Sequence, residues 1–418
     1  MLSLIIFSIV FTSSSLSLLP PHLDEFYKPP KNYNSTKVGE ILKVRPPPGP
    51  IRSYLAPINA IAWQILVRSE NSRGEPNVIV MTLLEPPDAN PKRILSYQPF
   101  ENAAILDCSP SYALLSGSFD IFETQCDLTF ISMALSQNWI VIIPDHEGPN
   151  SVFPVAKESA FAILNCMRAA KTFINEDAKF ALIGYSGGAH SSAWATIYHE
   201  SYAPELELVG AALGGLFPNI SALLENVNGG PYAGLIVNTL NGLSNEYPEF
   251  KNALHKYGPT LKNYCLFSSA VHYFGTHFNE HIYKNFLYDE TMKKYYLKND
   301  LLGQDKNPTV PIFIYHSKIN EIAPIDETHK IITQWCKAGV TLEFAEDASY
   351  NHMVEAFSGI PASILWLNDR FNDEPTEFEG NCHWEKRVSN LLYPGVPNFL
   401  KEYLKISAKQ YLSQLPIR

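Results

Sequence analysis

The chain has 418 residues, 46% hydrophobic and 18% charged, with a formal net charge of −10. This is the make-up of a globular protein with a substantial core, and it excludes a disordered or coiled-coil chain. The acidic balance leaves no basic footprint, so no nucleic-acid partner is expected.

"MLSLIIFSIVFTSSSLSLLPP" opens the chain. Its apolar run is too short to span a bilayer and small residues follow it, so residues 1–17 are expected to be a signal peptide, although the usual basic segment is missing. The mature protein is therefore expected to be secreted. Six cysteines and two sequons, at Asn34 and Asn219, agree with that route and make both asparagines candidate glycosylation sites. Residues 18–59 are rich in proline, which disfavours regular structure and predicts an arm laid over the surface.

Beyond the arm, short apolar runs read as strands at 60–69, 76–86, 93–100, 139–149, 179–185, 309–317 and 341–347. Helical spacing appears at 159–175 and again at 188–202. Strand and helix in alternation predict a mostly parallel sheet covered on both faces, built from 60–215 and 306–418. Residues 216–305 break the rhythm: they are aromatic-rich and helix-prone, and predict an inserted helical cap.

"KFALIGYSGGAH", 179–190, carries the chemistry. G-x-S-x-G between a strand and a helix is a nucleophile elbow, which presents Ser186 on a strained turn. Gly184 and Gly188 permit the tight packing, and the backbone N–H of Gly187 faces a developing oxyanion. A serine hydroxyl needs a histidine base, and the base needs a partner that fixes its tautomer. His352, in "SYNHMVEAF", follows the last predicted strand, where the base belongs; His190, one turn beyond Ser186, reads as structural. The acid is expected after 309–317, in "KINEIAP".

These segments, with "FENAAILDCSPSYALLSG" (100–117), "PDHEGPN" (144–150), "ESYAPELELVGAALGG" (200–215), "NGGPYAG" (228–234), "HSKINEIAP" (316–324) and "NHMVEAFSGIPASILWL" (351–367), resemble the secreted lipases of yeasts and other fungi, the family of Candida antarctica lipase A. The resemblance implies an α/β-hydrolase with a helical lid that hydrolyses fatty-acyl esters. It maps Ser186 to the nucleophile, His352 to the base and Gly187 to one oxyanion donor. It implies disulfides Cys108–Cys265 and Cys336–Cys382, leaving Cys126 and Cys166 as buried thiols. The family pattern departs at two positions. Asn102 stands where the family has Asp, and its backbone N–H is the implied second oxyanion donor. Asn320 stands where the family has the triad Asp. A neutral amide cannot stabilise imidazolium by charge and can favour the wrong tautomer; in serine proteases the same change costs about 10⁴ in kcat. Glu321 and Asp326 are the carboxylates near enough in sequence to stand in, although Asp326 falls where a helix-start role is expected.

One rival pattern exists. "HFNEH", 277–281, fits the H-x-x-E-H arrangement of inverted zinc peptidases, but no third ligand follows, and an ordinary amphipathic helix is the expectation. The sequence thus predicts a secreted, monomeric serine ester hydrolase (triacylglycerol lipase or carboxylesterase) that meets lipid–water interfaces and needs no metal or organic cofactor. The alternative is a compromised hydrolase that binds lipid without efficient turnover because position 320 is Asn. Cap aromatics Tyr232, Phe274, Phe278, Tyr283, Phe286 and Tyr288 would shield the acyl chain or simply pack the cap.

Overall fold

The computed structural model describes residues 18–51, 58–118, 122–348, 351–376, 378–398 and 401–402. The expected signal peptide, 1–17, lies outside them. Among the described residues the strands are β1 (Ile41–Arg45), β2 (Ile61–Glu70), β3 (Pro76–Glu85), β4 (Asn90–Gln98), β5 (Trp139–Pro144), β6 (Lys179–Tyr185), β7 (Glu207–Gly214), β8 (Ile312–Ser317), β9 (Leu342–Asp347) and β10 (Cys382–Arg387). They form one sheet in the order β1-β2-β3-β5-β4-β6-β7-β8-β9-β10. The three pairings from β1 through β3 to β5 are antiparallel, and every pairing from there to β10 is parallel.

The helices are α1 (Pro110–Ala113), α2 (Phe122–Leu135), α3 (Ala156–Phe173), α4 (Gly187–Tyr202), α5 (Ile220–Val227), α6 (Gly234–Glu246), α7 (Pro248–Leu254), α8 (Leu266–His272), α9 (Glu290–Asn299), α10 (Ile325–Lys337) and α11 (His352–Phe371). Alternation along the buried strands divides the core in two. Ile140 and Ile142 of β5 and Phe180 and Leu182 of β6 pack with α3, α4 and α10. Trp139, Val141 and Ile143, with Ala181, Ile183 and Tyr185, face α2 and α11 instead. Both faces are dry, which is why these strands read as unbroken apolar runs.

A third cluster belongs to α5–α9, the stretch where no strand was expected and none forms among the described residues. It includes Phe278, Tyr283 and Phe286, and it takes in Ile322 and Ala323 from the loop after β8. Within this helix-prone stretch α7 and α9 are short, at Pro248–Leu254 and Glu290–Asn299.

Three strands were not foreseen. β1 lies inside the proline-rich arm, where Ile41–Arg45 contains no proline and pairs with β2. β7 carries Gly210, Ala211, Ala212 and Gly214 in its middle and end, and a Cβ on Gly210 would meet the Trp366 ring of α11 at 3.1 Å. β10 is a charged edge strand, and Cys382 at its start is bonded to Cys336 on α10.

Candidate active site

Ser186 sits between β6 and α4 with φ 54° and ψ −117°. A non-glycine residue there is strained, and the strain persists because the surroundings fix it. A Cβ on Gly184 would collide with the carbonyl of Gly188, and one on Gly188 with the carbonyl of Gln98 in β4. The glycines therefore let α4 start hard against the sheet, with Ser186 buried at 5% exposure and the Gly187 N–H at the helix N-terminus.

Ser186 and His352 line one small pocket with Asn102, Tyr185, Phe100, Tyr232, Leu235, Leu266, Ile322 and Met353. His352 arrives on the first turn of α11, which Asn351 caps by accepting the Val354 N–H at 3.0 Å. Its main chain is held at both ends. The N–H donates to Glu321 Oε2 at 2.8 Å, and the C=O accepts from the Tyr185 hydroxyl at 2.5 Å. Burial, with His316 adding to it, pushes the imidazole down to about 3, so the ring is neutral at working pH.

Asn320 comes from the loop after β8, as expected. Its Nδ2 is 2.8 Å and its Oδ1 3.1 Å from His352 Nδ1. Oδ1 also accepts the N–H groups of Ile322 (3.0 Å) and Ala323 (2.7 Å). Asp326 is exposed on the first turn of α10 and shows no bond to the imidazole.

Asn102 has φ 46° and presents Oδ1, which has no hydrogen-bond partner, to the Cα of Gly187. Its carbonyl accepts from Asn238 Nδ2 of α6 at 2.8 Å. The Ala103 N–H donates to the buried carboxyl of Glu147 at 3.1 Å, and burial drives that carboxyl well above the usual carboxylate range. The residue implied as second oxyanion donor thus reaches the pocket wall. Sequence reasoning named neither Glu147 nor Tyr185, although both sit inside quoted motifs.

Disulfides join Cys108 to Cys265 and Cys336 to Cys382, the pairing the resemblance implied. Cys126 and Cys166 are buried outside them. His190 is structural: it is buried, stacked on Phe217, with Nε2 at 2.9 Å from the Asn299 carbonyl. "HFNEH" forms a single π-helical turn over Phe278–Ile282, with Glu280 accepting from Asn228; no group of three His, Cys, Asp or Glu set to hold a metal occurs among the described residues. Of the six cap aromatics, Tyr232 lines the pocket, Phe278, Tyr283 and Phe286 pack the cap, and Phe274 and Tyr288 are exposed. Asn34 is exposed, whereas Asn219 caps α5 and donates to Glu327.

A mostly parallel sheet, a strained serine on the β6–α4 turn and a histidine opening the helix after β9 define an α/β-hydrolase. The chain belongs to the secretory lipase family, whose profile matches residues 115–379. Lipase 7 of Candida albicans is 45% identical, with 94% of each chain covered, and Lipase 5 of the same yeast is 42% identical over 92% of this chain and 88% of its own. Among solved structures, Candida antarctica lipase A is 27% identical, with a TM-score of 0.83 over 95% of this chain and 96% of its own. A rice cell wall degrading esterase from Xanthomonas oryzae, 16% identical with a TM-score of 0.60, shares the fold.

Proposed function

We propose that the protein is a secreted lipase or carboxylesterase that hydrolyses fatty-acyl esters through an acyl-serine intermediate. Ser186 Oγ attacks the ester carbonyl while His352 Nε2 takes its proton. The Gly187 N–H holds the oxyanion, with the Asn102 N–H as second donor. His352 then protonates the departing alkoxide, the acyl group stays on Ser186, and a water activated by the same imidazole releases the acid. Asn320 orients His352. The single observation that supports this most is the convergence of a strained Ser186 and a main-chain-clamped His352 on one pocket walled by Phe100, Leu235, Leu266 and Met353. Those walls suit an acyl chain, and helices α5–α9 would act as the lid at a lipid–water interface. The protein would work as a monomer, and no cofactor enters any step.

A fluorescent alkylphosphonate should label the purified protein, and Ser186→Ala should abolish both labelling and fatty-acid release from a triacylglycerol emulsion. Hydrolysis that survives in Ser186→Ala would end this reading. The second reading, lipid binding with little turnover, is favoured by the closer approach of Asn320 Nδ2 than of Oδ1 to His352 Nδ1. It predicts retained binding of a non-hydrolysable ether lipid with no acyl-enzyme burst from an activated ester.

A further inference from the structure

We propose that Glu321 is the positioning residue for His352 and supplies the negative charge that position 320 lacks. The inference rests on the serine-hydrolase reading above. Its ground is a contact on the main chain rather than on the ring: Glu321 Oε2 accepts the His352 N–H at 2.8 Å, one residue's span from the imidazole. Asn351 caps α11 through the Val354 N–H, and Glu321 takes the separate N–H of His352, so the carboxylate is fixed to the very residue that carries the imidazole.

Glu321 is itself held. Asn226 Nδ2, at the end of α5, donates to the Glu321 carbonyl at 2.9 Å and to that of Ile322 at 3.2 Å. The carboxylate is therefore presented from a fixed backbone, and the Tyr185 hydroxyl on the His352 carbonyl closes the clamp from the opposite side. The other carboxyls of this region are otherwise committed. Glu355, one turn further along α11, accepts from Ser358 (2.5 Å) and Asn390 (2.6 Å). Asp347 accepts the Asn390 N–H at 2.7 Å. Asp326 points to solvent. On this proposal, the carboxylate held 2.8 Å from the His352 main-chain nitrogen favours the imidazolium that forms when Ser186 gives up its proton.

The test compares kcat and KM for a short-chain p-nitrophenyl ester in the parent, Glu321→Gln, Asn320→Asp and the double variant. Glutamine keeps an acceptor for the His352 N–H and removes only the charge. Glu321→Gln should lower kcat about tenfold with KM nearly unchanged, and the loss should shrink below about twofold once Asn320→Asp provides a carboxylate on the ring. Parent-like kcat in Glu321→Gln, or the same loss in both backgrounds, overturns the proposal. If the glutamine variant unfolds, Glu321→Asp against Glu321→Asn makes the same charge comparison, and equal rates overturn it. Ser186→Ala runs alongside: if it remains active, the hydrolase reading itself fails, whereas an inactive Ser186→Ala with an unaffected Glu321→Gln removes only the role of Glu321.

Discussion

Nδ2 of Asn320 lies 2.8 Å from Nδ1 of His352, while Oδ1 of the same amide is drawn to the N–H groups of Ile322 and Ala323. An amide donating to Nδ1 leaves the ring proton on Nε2, the nitrogen that accepts from Ser186 in the proposed mechanism. The productive tautomer requires Oδ1 to take a third donor at 3.1 Å. The two backbone N–H groups would serve a carboxylate equally well, so the loop is a carboxylate cradle that holds an amide.

Asn320→Asp should therefore raise kcat by about tenfold or more, since it fixes the tautomer and adds charge. The pH profile should move with it. In the parent, the His352 value of about 3 puts the acid limb of kcat/KM far below neutrality. A carboxylate favours imidazolium, so the limb should shift to higher pH in Asn320→Asp. Steady-state kinetics between pH 4 and 8 checks both; an unchanged rate would mean that the imidazole is already fully served.

The elbow glycines should separate fold from chemistry. Gly188→Ala drives a methyl into the Gln98 carbonyl, which the sheet holds fast, and should cost about 1–3 kcal/mol of stability. Gly187→Ala meets the Asn102 amide, a side chain able to swing aside. It should keep its melting temperature and lose kcat as the pocket wall shifts. Thermal unfolding beside ester kinetics distinguishes the two.

Stability should decline as pH rises past 6.5. Asp145, Glu158 and Asp300 are buried and pushed up to about 7, 8 and 7, so the folded state holds protons that the unfolded chain releases nearer pH 4. Each lowers stability as pH climbs from there to its folded value. Buried His146, His190 and His316, each pushed down to about 4, act oppositely below 6.5, where the unfolded chain gains protons first. The two sets offset one another between pH 4 and 6.5, and only the carboxyls remain above. Melting temperatures from pH 5 to 8.5 should be nearly level and then fall; a rise on the alkaline side would contradict the burial of these groups.

Expressed through a secretory host, the protein should carry glycan at Asn34 in preference to Asn219. The Asn219 amide accepts the Ala222 N–H and donates to Glu327, and a sugar on Nδ2 displaces the second bond. Peptide mapping reads the occupancy of each site.

Much of this site was legible in sequence because its parts are local. The glycines of "GYSGGAH" announce a kink that small residues alone permit, and the runs of β5 and β6 announce a sheet buried on both faces. Position 320 stood out because an amide stands where chain order and the resemblance place the acid. What stayed hidden depends on tertiary approach. Nothing in "KINEIAP" says that Glu321 reaches a main-chain N–H thirty-one positions away, or that the phenol of Tyr185 crosses to the His352 carbonyl. β7 was missed because glycine and alanine carry little strand signal, and the Trp366 ring over Gly210 is visible only in three dimensions.

Ile322 and Ala323 pack into the cluster of α5–α9, and their N–H groups also grip the Asn320 amide. The cap and the bracket behind the His352 ring, the base in the proposed mechanism, are in this sense one mechanical part. Libraries that randomise the cap to alter chain-length selectivity will therefore retune turnover as well, and variants chosen for one property should be expected to drift in the other.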